Sequence, residues 1–219
     1  MINWNTIDIV MLDMDGTLLD LHFDNHFWLE HLPKSFGEKH GLDIEAAKNT
    51  LISKYHAVRG TLDWYCIDYW EQMLDLNIMV LKEEIAHLIA FHPHVIEFLK
   101  WANAHQKRTI LVTNAHQKSL KLKMKMTQLA NNLDSVVCAH DVGLPKESPA
   151  FWSALNQIEP FYGENTLLID DNLDVLRSAR QAGIQHLLAV QHPDTKLAPI
   201  NTEEFLAVRN FKDLIPVDD

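Results

Sequence analysis

Five short apolar segments, separated mostly by helical patterns, constrain the fold of this chain more than any other feature of its sequence. The segments have the length of buried strands, and they cover residues 9–12, 109–113, 136–139, 167–169 and 186–190. Apolar residues at helical spacing lie between most of them, as at Val95, Phe98 and Leu99. Strands that alternate with helices predict an α/β fold with a doubly wound parallel sheet, a Rossmann-like core.

The interval between the first two predicted strands contains no strand pattern. Residues 21–92 form helix-like stretches that are rich in aromatic side chains, most densely in LDWYCIDYW at residues 62–70. This interval is much longer than an ordinary connection between strands. We therefore predict an α/β core formed by residues 1–20 and 93–219 and an inserted α-helical cap formed by residues 21–92. Such a cap would cover the carboxyl ends of the strands, where ligands bind in open α/β sheets.

Two carboxylates stand close together after the first predicted strand, in the segment IDIVMLDMDGTLLD at residues 7–20. Residues two apart in an extended chain point to the same side, so Asp13 and Asp15 are expected to face one crevice. Carboxylates this close repel each other unless they share a proton or a cation, and Mg²⁺ prefers such oxygen ligands. Gly16 permits a tight turn after them. The pattern predicts a magnesium site at this end of the sheet.

Further polar side chains follow the other predicted strands. Thr113 and Asn114 end the second strand, Lys146 follows the third, and Asp170 and Asp171 end the fourth. The carboxyl ends of parallel strands meet at one edge of a sheet, where we expect these side chains to gather. A phosphoryl group in transfer needs a metal ion, cations and hydrogen-bond donors around its spreading charge, and this set supplies them. The residues therefore indicate phosphoryl chemistry.

The segments DMDGT, TN, GLPKESP and IDDN occur in this order along the chain, and together they resemble the four motifs of the haloacid dehalogenase superfamily. The resemblance covers the core, residues 7–20 and 94–190. The long helical interval resembles the α-helical cap of the phosphoglycolate phosphatase-like and phosphoglucomutase-like branch. The resemblance thus implies the same α/β core and inserted helical cap that the strand and helix patterns predict.

By this resemblance, Asp13 is the nucleophile that takes up the phosphoryl group as an aspartyl-phosphate, and Asp15 is the general acid and then the general base. Mg²⁺, replaceable by Mn²⁺ or Co²⁺, is implied to bind the Asp13 carboxylate, the Asp15 carbonyl and Asp171. Asp170 is implied to support the ion or its waters. The last motif reads IDDN where the superfamily commonly has Gly-Asp-Ser or Glu-Asp-Ser, so Asp171, Asp170 and Asp174 are candidate ligands in that order.

The resemblance also implies which residues hold the phosphoryl oxygens, namely Thr113, Asn114 and Lys146. Lys146 in addition offsets the repulsion among the clustered carboxylates. Dehalogenases of the superfamily lack the second carboxylate, because a leaving halide needs no proton. Asp15 therefore favours the hydrolysis of a phosphate ester.

Several stretches in both core and cap resemble the bacterial GMP/IMP nucleotidases of this superfamily, among them FDNHFW (23–28), TLDWYCIDYW (61–70), TNAH (113–116) and PKE (145–147). This resemblance implies a purine nucleoside 5′-monophosphate, GMP or IMP, as the substrate. The cap residues expected to recognise it are Asp24, His26, Trp64 and Tyr65. Aromatic rings stack on purines, but they also pack small helical bundles, and the sequence leaves both roles open.

Three alternatives stay open at this point. They are a phosphatase of another small ester such as phosphoglycolate or a sugar phosphate, a phosphomutase that passes the phosphoryl group to a sugar hydroxyl, and a non-enzymatic binding protein. The last alternative is disfavoured because every implied catalytic group is present. The activity of the protein on different phosphate esters would distinguish a nucleotidase from a phosphatase of another ester and from a phosphomutase.

Charge and composition restrict which partners and which cellular location we expect for the protein. The net charge of −11 argues against a nucleic-acid polymer as a partner. The sequence has no leader pattern and no apolar run near the roughly 18 residues that indicate a membrane span, so we expect a cytoplasmic protein. Cys66 and Cys138 have no CxxC spacing and are expected to be reduced thiols. The basic run at residues 118–125 is expected to form a solvated helix face.

Overall fold

The computed structural model describes residues 2–216. Its strands form one six-stranded sheet in the order β3-β2-β1-β4-β5-β6, with all neighbours parallel. The strands are Ile9–Leu12 (β1), Arg108–Thr113 (β2), Ser135–Cys138 (β3), Thr166–Asp170 (β4), His186–Val190 (β5) and Leu206–Val208 (β6). From β1 the chain winds outward first to one side and then, from β4, to the other. The predicted doubly wound α/β sheet is therefore confirmed.

The central strand β1 is buried on both faces. Val10 and Leu12 belong to the apolar core on one face of the sheet, whereas Ile9 and Met11 belong to the core on the other face. This alternation follows from the pleat of a strand, which turns successive side chains to opposite sides. A strand covered on both faces reads as a continuous apolar run, which is the pattern that the sequence has here.

Residues 21–92, which follow β1, form mainly helices and turns. The α-helices of this interval are His22–His26 (α1), Leu32–His40 (α2), Ile44–Val58 (α3), Leu62–Tyr65 (α4), Ile67–Leu74 (α5) and Ile78–Glu84 (α6). They enclose an apolar cluster of their own, which includes Phe27, Leu51 and Trp70. We call residues 21–92 the helical segment. That they form a separate cap domain stays a prediction.

The helices of the remaining chain cover both faces of the sheet. They are Val95–Ala104 (α7), Gln117–Thr127 (α8), Ala139–Val142 (α9), Pro149–Ile158 (α10) and Leu173–Gln181 (α11). α7 packs on one face through Phe98 and Leu99, and α10 and α11 pack on the other through Leu155 and Val175. Within residues 2–216, no helix has the length and apolar character needed to cross a bilayer.

Small differences separate the predicted strands from the observed ones. β3 begins and ends one residue earlier than predicted, because Ala139 already starts α9. β6 was not predicted from the sequence. It has only three residues, and Leu206 leaves 67% of its surface exposed, so it lacks the buried apolar run that marks the other strands.

The register of the central strands brings three chain segments together at one edge of the sheet. Leu12 of β1 lies opposite Leu111 of β2 and Ile169 of β4. The residues that follow in each strand therefore leave the sheet side by side. This edge faces the helical segment, and the polar side chains that follow the strands gather there.

Candidate active site

The loop after β1 carries the first pair of carboxylates. Asp13 is buried, and its backbone N–H donates to the Ile169 carbonyl of β4 at 3.0 Å, which extends the sheet by one residue. The chain then turns, with the backbone N–H of Gly16 donating to the Leu19 carbonyl at 2.7 Å. Gly16 has a φ of +85°, in the left-handed region that favours glycine. This turn holds Asp13 and Asp15 at the edge of the sheet.

Lys146 lies between two buried carboxylates. Its side chain is 2% exposed, and its ammonium donates to Asp13 and, at 2.7 Å, to Asp170. The loop that carries it is fixed by its own backbone N–H, which donates to Asn114 Oδ1 at 2.9 Å. Burial lowers the pKa of Lys146, but the charges of the two carboxylates outweigh it and raise the pKa. A buried ammonium requires such pairing, so Lys146 is held charged at this position.

Asp171 completes a cluster of three carboxylates. One oxygen from each of Asp13, Asp170 and Asp171 lies within 4.8 Å of the others, and we call these residues the carboxylate cluster. Burial, with the charges of Asp13 and Asp170, raises the pKa of Asp171 well above its ordinary value. Burial also raises the pKa of Asp13 to about 6, although Lys146 opposes the rise. The negative charge of the three carboxylates is therefore only partly balanced by positive charge of the protein itself.

The donor set of the carboxylate cluster suits a hard cation. Three carboxylates and the single ammonium of Lys146 leave a deficit of positive charge when all are ionised. A divalent cation balances this deficit, and Mg²⁺ takes oxygen ligands of this kind. A Cβ on Gly16 would lie 2.6 Å from Asp171 Oδ2, so only glycine lets this carboxylate come so close to the turn. The residues present therefore fit a magnesium ion.

Asp15 has a different set of partners. Its Oδ2 lies 2.7 Å from Lys123 Nζ, whereas its Oδ1 is buried and has no hydrogen-bond partner in the described chain. Burial raises the pKa of Asp15 to about 6, with Lys123 opposing the rise and Asp24 adding to it. A carboxylate with one free oxygen and a pKa near neutrality is suited to give and take a proton.

A chain of alternating charges runs from Asp15 into the helical segment. Lys123 Nζ also lies 2.6 Å from Asp24 Oδ2, and Lys82 Nζ lies 2.8 Å from Asp24 Oδ1. Both lysines are almost fully buried. Burial alone would raise the pKa of Asp24, but the charges of Lys123 and Lys82 lower it to about 2. We call Asp15, Lys123, Asp24 and Lys82 the charge chain, since it joins the loop after β1 to α1 and α6.

The burial of Lys123 corrects one expectation from the sequence. The basic run at residues 118–125 predicts a solvated face, and this is wrong for Lys123, which α8 turns inward and the charge chain compensates. Lys118 does lie at the surface, where its Nζ is 2.6 Å from Asp68 Oδ1. The sequence carried one signal of this arrangement. Lys123 stands three residues after the buried Leu120, a spacing that puts both on one face of a helix.

A cavity of about 350 Å³ lies between the strand ends and the helical segment. Its volume falls within the range of pockets that hold small molecules, about 300–1,000 Å³. The predicted site residues of the core that line it are Asp13, Asp15, Thr113, Asn114, Lys146, Asp170 and Asp171. The structure thus brings these core residues together in one cavity. Asp174, the third candidate ligand of the last motif, is not among the lining residues, because its side chain lies at the surface and pairs with Arg177 at 3.0 Å.

Thr113 and Asn114 differ in how free their side chains are. Thr113 Oγ1 is buried and accepts the backbone N–H of Ala115 at 3.0 Å, so its own O–H is left to donate. The Asn114 side chain is engaged at both ends, since its Nδ2 donates to Glu147 Oε2 at 2.9 Å and its Oδ1 accepts from Lys146. Asn114 therefore positions the loop of Lys146, in addition to lining the cavity.

Five aromatic side chains of the helical segment line the cavity, namely Tyr65, which is described below, and Trp28, Tyr55, Trp64 and Trp70. Tyr55 and Trp70 are buried, and their polar atoms are satisfied by the segment itself. The Tyr55 hydroxyl donates to the Trp28 carbonyl at 3.1 Å, and Trp70 Nε1 donates to the Trp64 carbonyl at 3.0 Å. Trp28 and Trp64 are only half-buried. Two rings thus pack the helices, and two others offer surface to the cavity.

The remaining predicted residues of the helical segment lie in different surroundings. Tyr65 lines the cavity, but its hydroxyl donates to Glu147 at 2.5 Å, and burial raises its pKa. Asp24 lines the cavity as part of the charge chain. His26 is not among the residues that line the cavity, and its ring lies 6.0 Å from the ring of His22. Two steps along a helix rotate a side chain by roughly 200°, so Asp24 and His26 face different ways.

Two residues that organise the site were missed by sequence reasoning. Glu147 accepts hydrogen bonds from Tyr65, Asn114 and Asn172 and so joins the helical segment to two loops of the core. Its position next to Lys146, within the PKE stretch, was the signal that could have pointed to it. Lys82 belongs to no motif, and its partner Asp24 is 58 residues away in the sequence, so nothing in the sequence pointed to it.

The fold and the site together define the chain as a hydrolase. The model of the haloacid dehalogenase-like hydrolase family matches residues 7–183, and the chain belongs to that family. The resemblance that the four motifs predict is therefore confirmed, and so is the prediction that the protein is an enzyme.

Individual relatives are similar over both the sheet and the helical segment. The chain is 38% identical over 215 residues to GMP/IMP nucleotidase YrfG of Escherichia coli (strain K12), and the alignment covers 98% of this chain and 97% of that protein. Phosphoglycolate phosphatase 1 of Pseudomonas aeruginosa is 25% identical over 222 residues, covering 96% and 79% of the two chains. The crystal structure of a HAD phosphatase from Thermococcus onnurineus has the same fold, with a TM-score of 0.79, 20% identity and coverage of 95% and 96%.

Proposed function

We propose that this protein is a Mg²⁺-dependent 5′-nucleotidase that hydrolyses purine nucleoside monophosphates, GMP and IMP first, to nucleoside and inorganic phosphate. One observation carries the proposal. A single cavity contains the carboxylates and the lysine of the strand ends together with two half-buried tryptophan rings of the helical segment. The 38% identity to a GMP/IMP nucleotidase supports the same class of substrate.

Asp13 is the nucleophile of the first step. One of its carboxylate oxygens attacks the phosphorus atom, and the bond from phosphorus to the 5′ oxygen breaks as Asp15 gives its proton to that oxygen. Thr113 and Lys146 line the cavity with Asp13 and donate hydrogen bonds to the phosphoryl oxygens. The nucleoside leaves, and the phosphoryl group stays on Asp13 as an aspartyl-phosphate.

Asp15 is the base of the second step. It takes a proton from a water molecule, whose oxygen attacks the phosphorus atom, and the bond from phosphorus to Asp13 breaks. Inorganic phosphate leaves, and Asp15 is again protonated for the next substrate. Its Oδ1, which is buried and has no partner in the described chain, is the oxygen that we assign to both proton transfers. The pKa of about 6 supports this double role.

Asp13, the Asp15 carbonyl and Asp171 would hold Mg²⁺, and Asp170 would support it. When bound, Mg²⁺ supplies positive charge that stabilises the phosphoryl oxygens. Lys146 already pairs with two of the carboxylates and is the remaining cation of this part of the site. A chelator is expected to abolish turnover, and Mg²⁺, Mn²⁺ or Co²⁺ should restore it.

Trp28 and Trp64 are the residues that we assign to the purine base. Stacking of a base on an aromatic ring contributes about 1–3 kcal/mol, which corresponds to about 5- to 150-fold in affinity. Substrates without a base cannot gain this contribution. The two rings should therefore affect nucleotides selectively, whereas Asp13 and Lys146 should affect every phosphate ester.

The test is phosphate release from a panel of esters in Mg²⁺, with nucleoside monophosphates, phosphoglycolate and sugar phosphates as substrates and Asp13→Asn as the blank. We expect GMP and IMP to have the highest kcat/KM and the blank to release no phosphate. A panel led by phosphoglycolate or a sugar phosphate would contradict the nucleotidase and leave the phosphatase reaction intact. Full activity of the blank would contradict the mechanism.

A pair of tryptophan variants separates the base from the phosphate. Trp64→Leu should raise KM for GMP by about 5- to 150-fold and leave KM for phosphoglycolate unchanged. Trp101→Leu is the matched control, because Trp101 is equally half-buried but packs on the sheet through α7, away from the cavity. Equal effects of Trp64→Leu on both substrates would contradict stacking on this ring.

A further inference from the structure

A second group of metal-ligating side chains takes no part in the reaction described above. The sulfur of Cys66 and one ring nitrogen from each of His116 and His140 all lie within 4.8 Å of one another. Cys66 belongs to the helical segment, between α4 and α5, whereas His116 precedes α8 and His140 lies in α9. We propose that these three residues bind a borderline-soft divalent cation such as Zn²⁺, which would link the helical segment to the core.

The donor set selects the class of metal. A thiolate and two imidazoles suit Zn²⁺ or Co²⁺, whereas Mg²⁺ prefers oxygen ligands. Asp68 offers a fourth ligand, since its Oδ2 lies 3.7 Å from His116 Nε2. This site therefore differs in chemistry from the carboxylate cluster, and the two sites favour different ions.

The surroundings of the two histidines support the assignment. His140 Nε2 is buried and has no hydrogen-bond partner within the described chain. A buried polar atom of this kind requires a partner, and a bound cation can satisfy the ring. The rings of His116 and His140 lie 4.9 Å apart, and burial lowers the pKa of both. This direction favours the neutral imidazole, which is the form that metal ligation requires.

Small movements convert the group into a closed site. Zinc binds cysteine sulfur at about 2.3 Å and histidine nitrogen at about 2.0–2.1 Å, which sets tetrahedral ligand atoms about 3.5 Å apart. A pair of ligand atoms within 4.8 Å therefore has to close by at most about 1.3 Å, and all three residues are only half-buried. Cys66 loses its proton to solvent. Ligation through His116 Nε2 moves the ring proton to Nδ1, which gives up a long hydrogen bond of 3.3 Å from the Lys118 amide.

Co²⁺ is the probe for this site, because a thiolate bound to Co²⁺ gives an intense charge-transfer absorption that carboxylate ligands do not give. The reduced full-length protein is titrated with Co²⁺ in an excess of Mg²⁺, which competes for the carboxylate cluster. We expect a charge-transfer band that saturates at one Co²⁺ per chain and that Zn²⁺ removes. A folded wild-type protein without this band would overturn the proposal.

Variants identify the ligands. Cys66→Ser should abolish the band, and His140→Gln should weaken Co²⁺ binding at least about tenfold. Cys138→Ala is the matched control, because Cys138 is the second free thiol. Its sulfur lies 3.9 Å from His140 Nδ1, on the other side of the ring from the unpartnered Nε2, so it should be dispensable for the band. Circular dichroism checks the fold of each variant. A band that survives Cys66→Ser and disappears in Cys138→Ala would overturn the assignment.

An independent readout uses stability. A ligand that binds only the folded state raises Tm, so Zn²⁺ should raise the Tm of the wild-type protein and of Cys138→Ala. It should leave the Tm of Cys66→Ser unchanged. Equal stabilisation of wild type and Cys66→Ser by Zn²⁺ would place the ion elsewhere and contradict the proposed site.

Discussion

Gly16 allows a direct test of how the loop after β1 is built. Replacing it by Ala adds a Cβ that would lie 2.6 Å from Asp171 Oδ2, whereas ordinary contacts begin near 3.4 Å. The Asp171 carboxylate therefore has to move by about 0.8 Å, which is 3.4 Å less 2.6 Å. The same substitution also forces Ala to adopt a φ of +85°. The variant thus combines an unfavourable backbone conformation, which lowers stability, with a displaced Asp171 carboxylate.

These two effects have different consequences. The left-handed φ costs Ala about 1–2 kcal/mol of stability, which should lower Tm by about 2–8 °C. The displaced carboxylate costs activity, because Mg²⁺ demands near-ideal geometry at about 2.0–2.1 Å and a misplacement near 1 Å costs about 100-fold. We therefore expect kcat/KM for GMP to fall by about 100-fold and the Mg²⁺ concentration for half-activation to rise.

Gly60→Ala is the matched control. Gly60 has a φ of +81°, close to that of Gly16, but a Cβ there would meet no atom within 4 Å. Thermal unfolding should show a similar loss of stability in both variants. Phosphate release, measured against Mg²⁺ concentration, should change only in Gly16→Ala. Equal activity of the two variants at every Mg²⁺ concentration would refute the role that we give to the contact between Gly16 and Asp171.

Two further predictions concern the buried charges. In chelator at pH 7, Asp13→Asn should be more stable than wild type by about 3 kcal/mol, because the pKa of Asp13 is raised from 3.8 to about 6 in the fold. The stability that protonated Asp13 contributes is complete below pH 3.8 and is lost as the pH rises through 6. Urea unfolding should therefore show that the difference in stability between Asp13→Asn and wild type shrinks towards pH 4. A difference that stays constant with pH would contradict the raised pKa of Asp13. Lys82→Met should cost about 3–5 kcal/mol, since Asp15 and Asp24 are left with one lysine. Adding Asp24→Asn should recover part of that loss in urea unfolding, and a double variant less stable than both single variants would argue against the charge chain.

The parts of the site that depend on strand register could be predicted from the sequence. Buried parallel strands read as short apolar runs, and the residue after each run must leave the sheet at the same edge. Asp13, Thr113 and Asp170 stand at such positions, and all three line the cavity. The chemistry of these three residues could therefore be predicted before their contacts were known. β6 escaped prediction because it has too few buried residues to make a run.

The partners of the buried charges could not be predicted in this way. Asp24 contacts Lys82 and Lys123, which are 58 and 99 residues away in the sequence. Such contacts arise from the packing of the helical segment against α8, and no periodic pattern encodes them. The same limit applies to His26, because the angle at which α1 leaves the loop decides which of its side chains reach the cavity. The sequence predicted the helices of residues 21–92, but it did not predict how these helices are oriented relative to the cavity.

The two groups of buried charges in the site are balanced differently, and this has a consequence for the proton on Asp15. The charge chain holds two carboxylates and two lysines and is neutral by itself, whereas the carboxylate cluster with Lys146 lacks positive charge. The negative charge that a cation would balance therefore lies at the Asp13 carboxylate and not at the Asp15 carboxylate. Burial is the main cause of the raised pKa of Asp15, Lys123 opposes the rise, and Asp24 adds to it. The proton on Asp15 thus depends on charged residues of α1 and α8, whereas the proton on Asp13 depends on Lys146 and Asp170.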